Sequence, residues 1–91
     1  MEALKVFSKP SYDRAFKKLT RHQQAQVKAA IFELPESVGQ PHSHSGIGIR
    51  PFGKFFECRA GLQLRVLFCF DRGEIILETV GNHDDIARFV T

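Results

Sequence analysis

Apolar residues recur at helical spacing through the first third of the chain. Tyr12, Ala15, Phe16 and Leu19 fall at i, i+3, i+4 and i+7, with Arg14, Lys17 and Lys18 directed elsewhere. This predicts an amphipathic helix with a basic outer face. Val27, Ala30, Ile31 and Leu34 repeat the spacing and predict a second helix. Ahead of it, Thr20 and Gln23 stand at the spacing of a capping box, in which each side chain satisfies the other residue's amide. Pro35 is expected to end this helix, because proline offers no amide hydrogen and disfavours the helical conformation in the residue before it. Upstream, Ala3 to Phe7 predicts a short strand, and Ser8, Pro10 and Ser11 supply the punctuation of a helix start.

After a polar, aperiodic stretch from Pro35 to Gly46, read as a loop, the period changes to two. The segments GIGIRPF, FFECRA, LRVLFCF and EIILETVG predict four strands joined by short turns, hence an antiparallel meander. Register can be tested on the middle pair. Setting Arg59 opposite Arg65 leaves a three-residue turn, Gly61 to Gln63, and puts Phe56, Cys58, Val66, Phe68 and Phe70 on one face, the core side. The other face carries Glu57, Arg59, Arg65, Leu67 and Cys69, polar at one end and apolar at the other. Two arginines directly across a sheet repel, so a counter-anion is expected: Glu57 or a ligand from outside. The fold class that follows is α+β: an N-terminal strand, a two-helix hairpin, a four-stranded antiparallel meander and a short C-terminal helix.

Residues 1–91 are too few for more than one domain with one small core. The nine phenylalanines make that core bulky, and the formal charge of +3 leans towards acidic or polyanionic partners without naming one. Cys58 and Cys69 have neither the number nor the spacing of a disulfide framework or a zinc site, and read as free thiols. No signal-peptide pattern opens the sequence and no apolar run is long enough to span a membrane, which predicts a cytoplasmic protein.

Chemistry concentrates in VGNHDDIARFV, where the last strand gives way to a short helix. Asn82 is a favoured N-cap, and Asp84 and Asp85 fall in the first turn, where carboxylates suit the helix dipole. Capping explains both aspartates. It leaves unexplained His83, whose imidazole is the side chain that most readily exchanges a proton near neutral pH.

The order strand, helical hairpin, loop, then FFECRAGLQLRVLFCFDRGEIILETVGNHDDIARF resembles the RelE/ParE toxin superfamily of bacterial toxin–antitoxin systems over nearly the whole chain. The GNHDDI ending is similar to the histidine-bearing RelE, YafQ-like and YoeB-like ribonucleases. The resemblance implies the microbial RNase fold of RelE and a toxin that cuts messenger RNA on the ribosome. It also implies an acidic antitoxin that wraps around the toxin, and no metal or other cofactor. Metal-free cleavage by the 2′-hydroxyl needs a base, an acid and cations for the growing phosphorane charge. By resemblance Arg65 matches the arginine that contacts the scissile phosphate and His83 the C-terminal catalytic histidine. Arg59 stands where YafQ-like proteins tend to have histidine and is a second charge stabiliser, since a guanidinium fork suits phosphate oxygens.

The base has two candidates. Glu57 is close in sequence but flanked by arginines, where a carboxylate serves better as a bound anion than as a proton acceptor. His44 of HSHSG lies in the loop where related nucleases place a histidine or glutamate, with His42 as the alternative for a shifted alignment. The two loop histidines fall short of the four ligands of structural zinc, so a polar loop is the expected reading. Arg50, Lys54, Lys17 and Lys18, with Arg21 and Lys28, are expected to neutralise RNA phosphates, and Phe89 is the aromatic available for base stacking or for packing on the sheet. His22 reads as a surface residue. The rival functions are a gyrase poison of the ParE type, which has no chemical use for a histidine and arginine group, and a degenerate member that only binds antitoxin.

Overall fold

The computed structural model describes residues 4–39 and 48–91. In chain order the elements are β1 (Val6–Ser8), α1 (Pro10–Lys17), α2 (Arg21–Gly39), β2 (Arg50–Phe52), β3 (Phe55–Arg59), β4 (Arg65–Asp71), β5 (Glu74–Gly81) and α3 (His83–Val90). The strands form one sheet in the order β1-β5-β4-β3-β2, in which β2 to β5 make the expected antiparallel meander and β1 runs parallel to β5 at the edge.

The hairpin is held at its elbow. The Thr20 amide donates to Gln23 Oε1 at 3.0 Å and the Gln23 amide to Thr20 Oγ1 at 3.1 Å, the predicted capping box. The Gln24 carboxamide reaches back 3.1 Å to the carbonyl of Phe16, which also accepts the Leu19 amide at 3.1 Å, so α2 ties directly onto the last turn of α1.

Pro35 does not end α2, which runs to Gly39. The proline costs the Ile31 carbonyl its hydrogen bond, about 3 kcal/mol in a helix interior. Against this, Leu34 is fully buried and Val38 packs on the core, each contributing roughly 1.5–3 kcal/mol when buried completely. Continuing the apolar stripe offsets the break. Residues 35–39 of the expected loop are thus helical, residues 40–46 of it lie outside the described residues, and among the described residues of GIGIRPF the strand is Arg50–Phe52, β2.

Arg59 pairs with Arg65, and the Ala60 amide donates to the Leu64 carbonyl at 2.9 Å, closing the three-residue turn as expected. The hairpin face of the sheet buries Cys58, Val66, Phe68, Ile75, Leu77 and Val80 beneath Tyr12, Val27, Ala30 and Leu34. Phe56, Phe68 and Phe70 form an aromatic cluster there, with Phe70 partly exposed at the end of β4. On the opposite face α3 packs across β4 and β5, and Leu67 and Ile86 are fully buried.

The β4–β5 turn is Arg72-Gly73, both at positive φ (54° and 79°), the hand that a two-residue hairpin turn requires. Further along the pair the register slips: Leu67 faces Thr79 and Phe68 faces Leu77, so Glu78 is the extra residue of a bulge. Its buried carboxylate accepts the Cys69 thiol and pairs with Lys9 Nζ, each at 3.1 Å. Both cysteines are free. No helix among the described residues is long and apolar enough to cross a membrane.

Candidate active site

The site begins where β5 ends. Asn82 turns the chain with an extended backbone, and its Oδ1 accepts the Asp85 amide at 2.8 Å while Asp85 Oδ2 accepts the Asn82 amide at 3.0 Å. Arg88 braces Asp85 from the next turn. This box sits so close over the end of β5 that a side chain on Gly81 would meet Asp85 Oδ2 at 2.6 Å. Ile86 plugs into the apolar part of the face, and its burial leaves His83 exposed at the first position of α3, with the Phe52 ring edge-on at 6.0 Å between centroids.

Strand register then brings the arginine to it. Arg65, first residue of β4, lies directly across from Gly81, and its Nη1 donates to the neighbouring Leu64 carbonyl at 3.2 Å. Arg65 and His83 line one open cleft of 220 Å³, walled also by Leu62, Gln63, Asn82 and Asp84. A guanidinium anchored on a strand and an imidazole anchored by a helix cap, facing the same solvent space, can hold an anion and exchange a proton with it.

The other predicted residues are distributed differently. Glu57 is 1% exposed, and its Oε1 is held by Arg50 Nε at 2.6 Å; neither Arg59 nor Arg65 is its partner. The expected counter-anion between the two arginines is therefore bound elsewhere, because Arg50 stands directly across β3 from it. Arg59 is exposed, with its guanidinium near Gly48, and is not part of the cleft wall. Phe89 packs edge-on to Phe55 at 6.3 Å while staying 40% exposed, and Lys54 lies 5.5 Å over the Phe55 ring. Lys17, Lys18 and Arg21 are exposed around the helical elbow, as is His22. Lys28 is exposed too and covers Phe16. His42 and His44 lie outside the described residues.

Gln63, Asp84 and Phe52 are not among the residues the sequence predicts for the site. Gln63 was legible in principle, since a three-residue turn leading into Arg65 must stand beside it. Phe52 was not, because its approach to His83 depends on how α3 crosses the sheet.

Neither thiol is built for reactivity. Burial, helped by the neighbouring Glu57, pushes Cys58 up to about 12, and burial together with the hydrogen bond to Glu78 pushes Cys69 up to about 11. Among the described residues no group of three histidine, cysteine or carboxylate side chains is placed to hold a metal ion.

No protein-family model matches the sequence, and no curated protein matches it. Solved structures do. A copper-bound mutant toxin from Helicobacter pylori superposes with a TM-score of 0.71 at 20% identity, over 91% of this chain and 98% of that one. The fold is that of the RelE-type toxins. YafQ in the DinJ–YafQ toxin–antitoxin complex of E. coli gives 0.71 at 10% identity over 93% and 98% of the two chains. RelE in the RelB–RelE antitoxin–toxin complex of Methanococcus jannaschii gives 0.67 at 12% over 93% and 99%. At these identities the RelE-type fold is shared while most side chains are not, so what this site does is argued from its own residues.

Proposed function

We propose that this protein is the toxin of a toxin–antitoxin pair and acts as a metal-independent endoribonuclease on messenger RNA in the ribosome. The observation that carries the reading is the single cleft lined by both Arg65 and His83. In the proposed reaction the scissile phosphate sits in this cleft. The 2′-hydroxyl of the upstream nucleotide attacks the phosphorus, the P–O5′ bond breaks, and the products are a 2′,3′-cyclic phosphate and a 5′-hydroxyl. Arg65 neutralises the charge that builds on the non-bridging oxygens, a role worth roughly 10²–10³ in rate for one well-placed donor. His83 protonates the departing 5′ oxygen, a role worth roughly 10²–10⁴.

The base comes from outside this pair. Glu57, tied to Arg50, serves the site as an anchor. The 2′ proton is assigned to His44 or to a group of the ribosome, which gives cleavage a reason to depend on the ribosome. Arg59, Arg50, Lys54, Lys17 and Lys18 position the RNA backbone through charge, and Phe89 offers a partly exposed ring for a base. The partner that silences the toxin is an acidic antitoxin, consistent with the formal charge of +3 and with the antitoxins bound in the E. coli and M. jannaschii complexes. Both act in the cytoplasm.

Induction in a bacterial host, with primer extension of RNA ends alongside incorporation of labelled precursors, tests the reading. Cuts inside translated codons that vanish with His83→Ala are expected. Blocked replication over intact messages would instead make the protein a gyrase poison, and undisturbed growth would leave it only an antitoxin binder.

A further inference from the structure

A second cavity, of 420 Å³, opens beside the cleft. The two share a wall, for Leu62, Gln63 and Asn82 line both. Beyond that wall the chemistry changes. The second cavity carries no lysine or arginine, and its one carboxylate, Asp85, is already occupied by the helix cap and Arg88. What it has, beside the His22 ring, is carboxamides: Gln23 and Gln26 from the first turns of α2, and Gln63 and Asn82 from the sheet side. The side chains of Gln26 and Gln63 have no hydrogen-bond partner among the described residues. Asn82 uses its oxygen in the cap and Gln23 uses its oxygen on Thr20, so both keep free amino donors. Leu62, 89% exposed, projects at the boundary as an apolar edge.

A volume within the usual range of small-molecule sites, about 300–1,000 Å³, lined by carboxamide donors and acceptors and by no lysine or arginine, lacks the ammonium or guanidinium that a phosphate contact uses. It suits a flat, uncharged ligand that offers a donor beside an acceptor. Each nucleobase presents that pattern on its pairing edge, and a carboxamide answers it with two hydrogen bonds from one planar group. We infer that this cavity is a nucleobase subsite: with a phosphate on Arg65 and His83, the adjoining base lies against Leu62 and is read by Gln26 and Gln63. The inference rests on the proposed nuclease function and adds to it a place where sequence is selected. Gly61 belongs to the same device. The Gln26 carboxamide lies so near it that a side-chain carbon there would stand 3.0 Å from the amide nitrogen and oxygen. Glycine at that position lets the reading group lie flat.

The test is a titration of the ¹⁵N-labelled full chain with uncleavable 2′-deoxy dinucleotides of differing base, followed by NMR at the side-chain amides of Gln26 and Gln63 and at the His83 ring. Both sets of signals are expected to move with one affinity, and affinities for different bases to differ by about fivefold or more, as bidentate readout allows. In Gln26→Leu combined with Gln63→Leu that spread should collapse while the His83 signal still responds. Gly61→Ala, which keeps every reading group and only displaces Gln26, should narrow it part-way; the same spectra report whether each variant is folded. Movement at His83 with still amides would overturn the subsite and leave the nuclease reading standing. Silence at both positions would remove the two together.

Discussion

Arg50 and Glu57 form an ion pair with unequal solvation, and that inequality predicts an asymmetric response to mutation. The Arg50 side chain is 60% exposed and that of Glu57 1%. Glu57 Oε1 has Arg50 as its partner, and Oε2 is buried without any hydrogen bond. Arg50→Ala therefore strands a buried carboxylate with neither oxygen satisfied, the kind of change that costs about 3–5 kcal/mol when the charge is fully enclosed. Because one member of this pair faces water, we expect less than that, about 2–3 kcal/mol. Glu57→Leu removes the charge itself, fills a similar volume on an apolar face next to Leu67, and frees Arg50 into solvent; we expect a loss below about 1 kcal/mol. Arg50→Ala with Glu57→Leu should then be about as stable as Glu57→Leu alone.

Urea unfolding followed by circular dichroism measures all three. For a domain this size the urea slope is roughly 1–1.5 kcal/mol/M, so Arg50→Ala should lower the midpoint by about 2 M. A domain of this length has about 5–10 kcal/mol to lose, so the effect is well inside the measurable range. An Arg50→Ala midpoint within about 0.3 M of wild type, or a double variant whose loss is the sum of the single ones, would refute the argument.

Four further outcomes follow from the same geometry. Both thiols have folded-state values above the ordinary 9.0, about 12 for Cys58 and about 11 for Cys69, as does Tyr12 at about 12 against 10.0. The native state thus holds protons that the unfolded chain releases, and stability present below pH 9 should fall progressively between pH 9 and 12; a flat urea midpoint over that window would contradict it. At pH 8 the Cys69 thiolate population is about a hundredfold below that of an ordinary thiol, so labelling by a disulfide reagent should be slow until urea is added. Asn82→Ala should cost about 1 kcal/mol and Asn82→Gly only a few tenths, and the proposed RNA cleavage should fall in Asn82→Ala because His83 loses its anchor; Asn82→Ala as stable as wild type would mean that the cap contributes nothing. Pro35→Ala restores an amide inside α2 and should raise the melting temperature by several degrees, whereas a lower one would show that the proline shapes the packing of Val38.

What was legible in the sequence was whatever a local rule determines. The capping box of Thr20 and Gln23 and the Arg59–Arg65 register follow from spacing alone, because alternation fixes faces and the turn length fixes the pairing. The pocketing of His83 with Arg65 follows from these plus the helix cap after Gly81. Pro35 misled because a local penalty was weighed without the tertiary burial of Leu34 and Val38 that offsets it. The Arg50 partner of Glu57 was not legible because it comes from β2, a strand too short for alternation to fix its register against β3. Glu78 was missed for a similar reason: a bulge re-aims one side chain, and nothing in ILETV marks which residue will be the extra one.

The parallel pairing of β1 with β5 has a consequence for how the molecule assembles. Val6 sits beside Ile75, so the earliest strand must wait for nearly the whole chain to be made before it finds its neighbour. Gly81, at the far end of that same β5, faces Arg65 and leads into the helix that carries His83. Closing the sheet and assembling the cleft thus depend on the same strand, β5. Backbone amides of β5 should accordingly exchange with solvent only through global opening, with the slowest rates in the molecule.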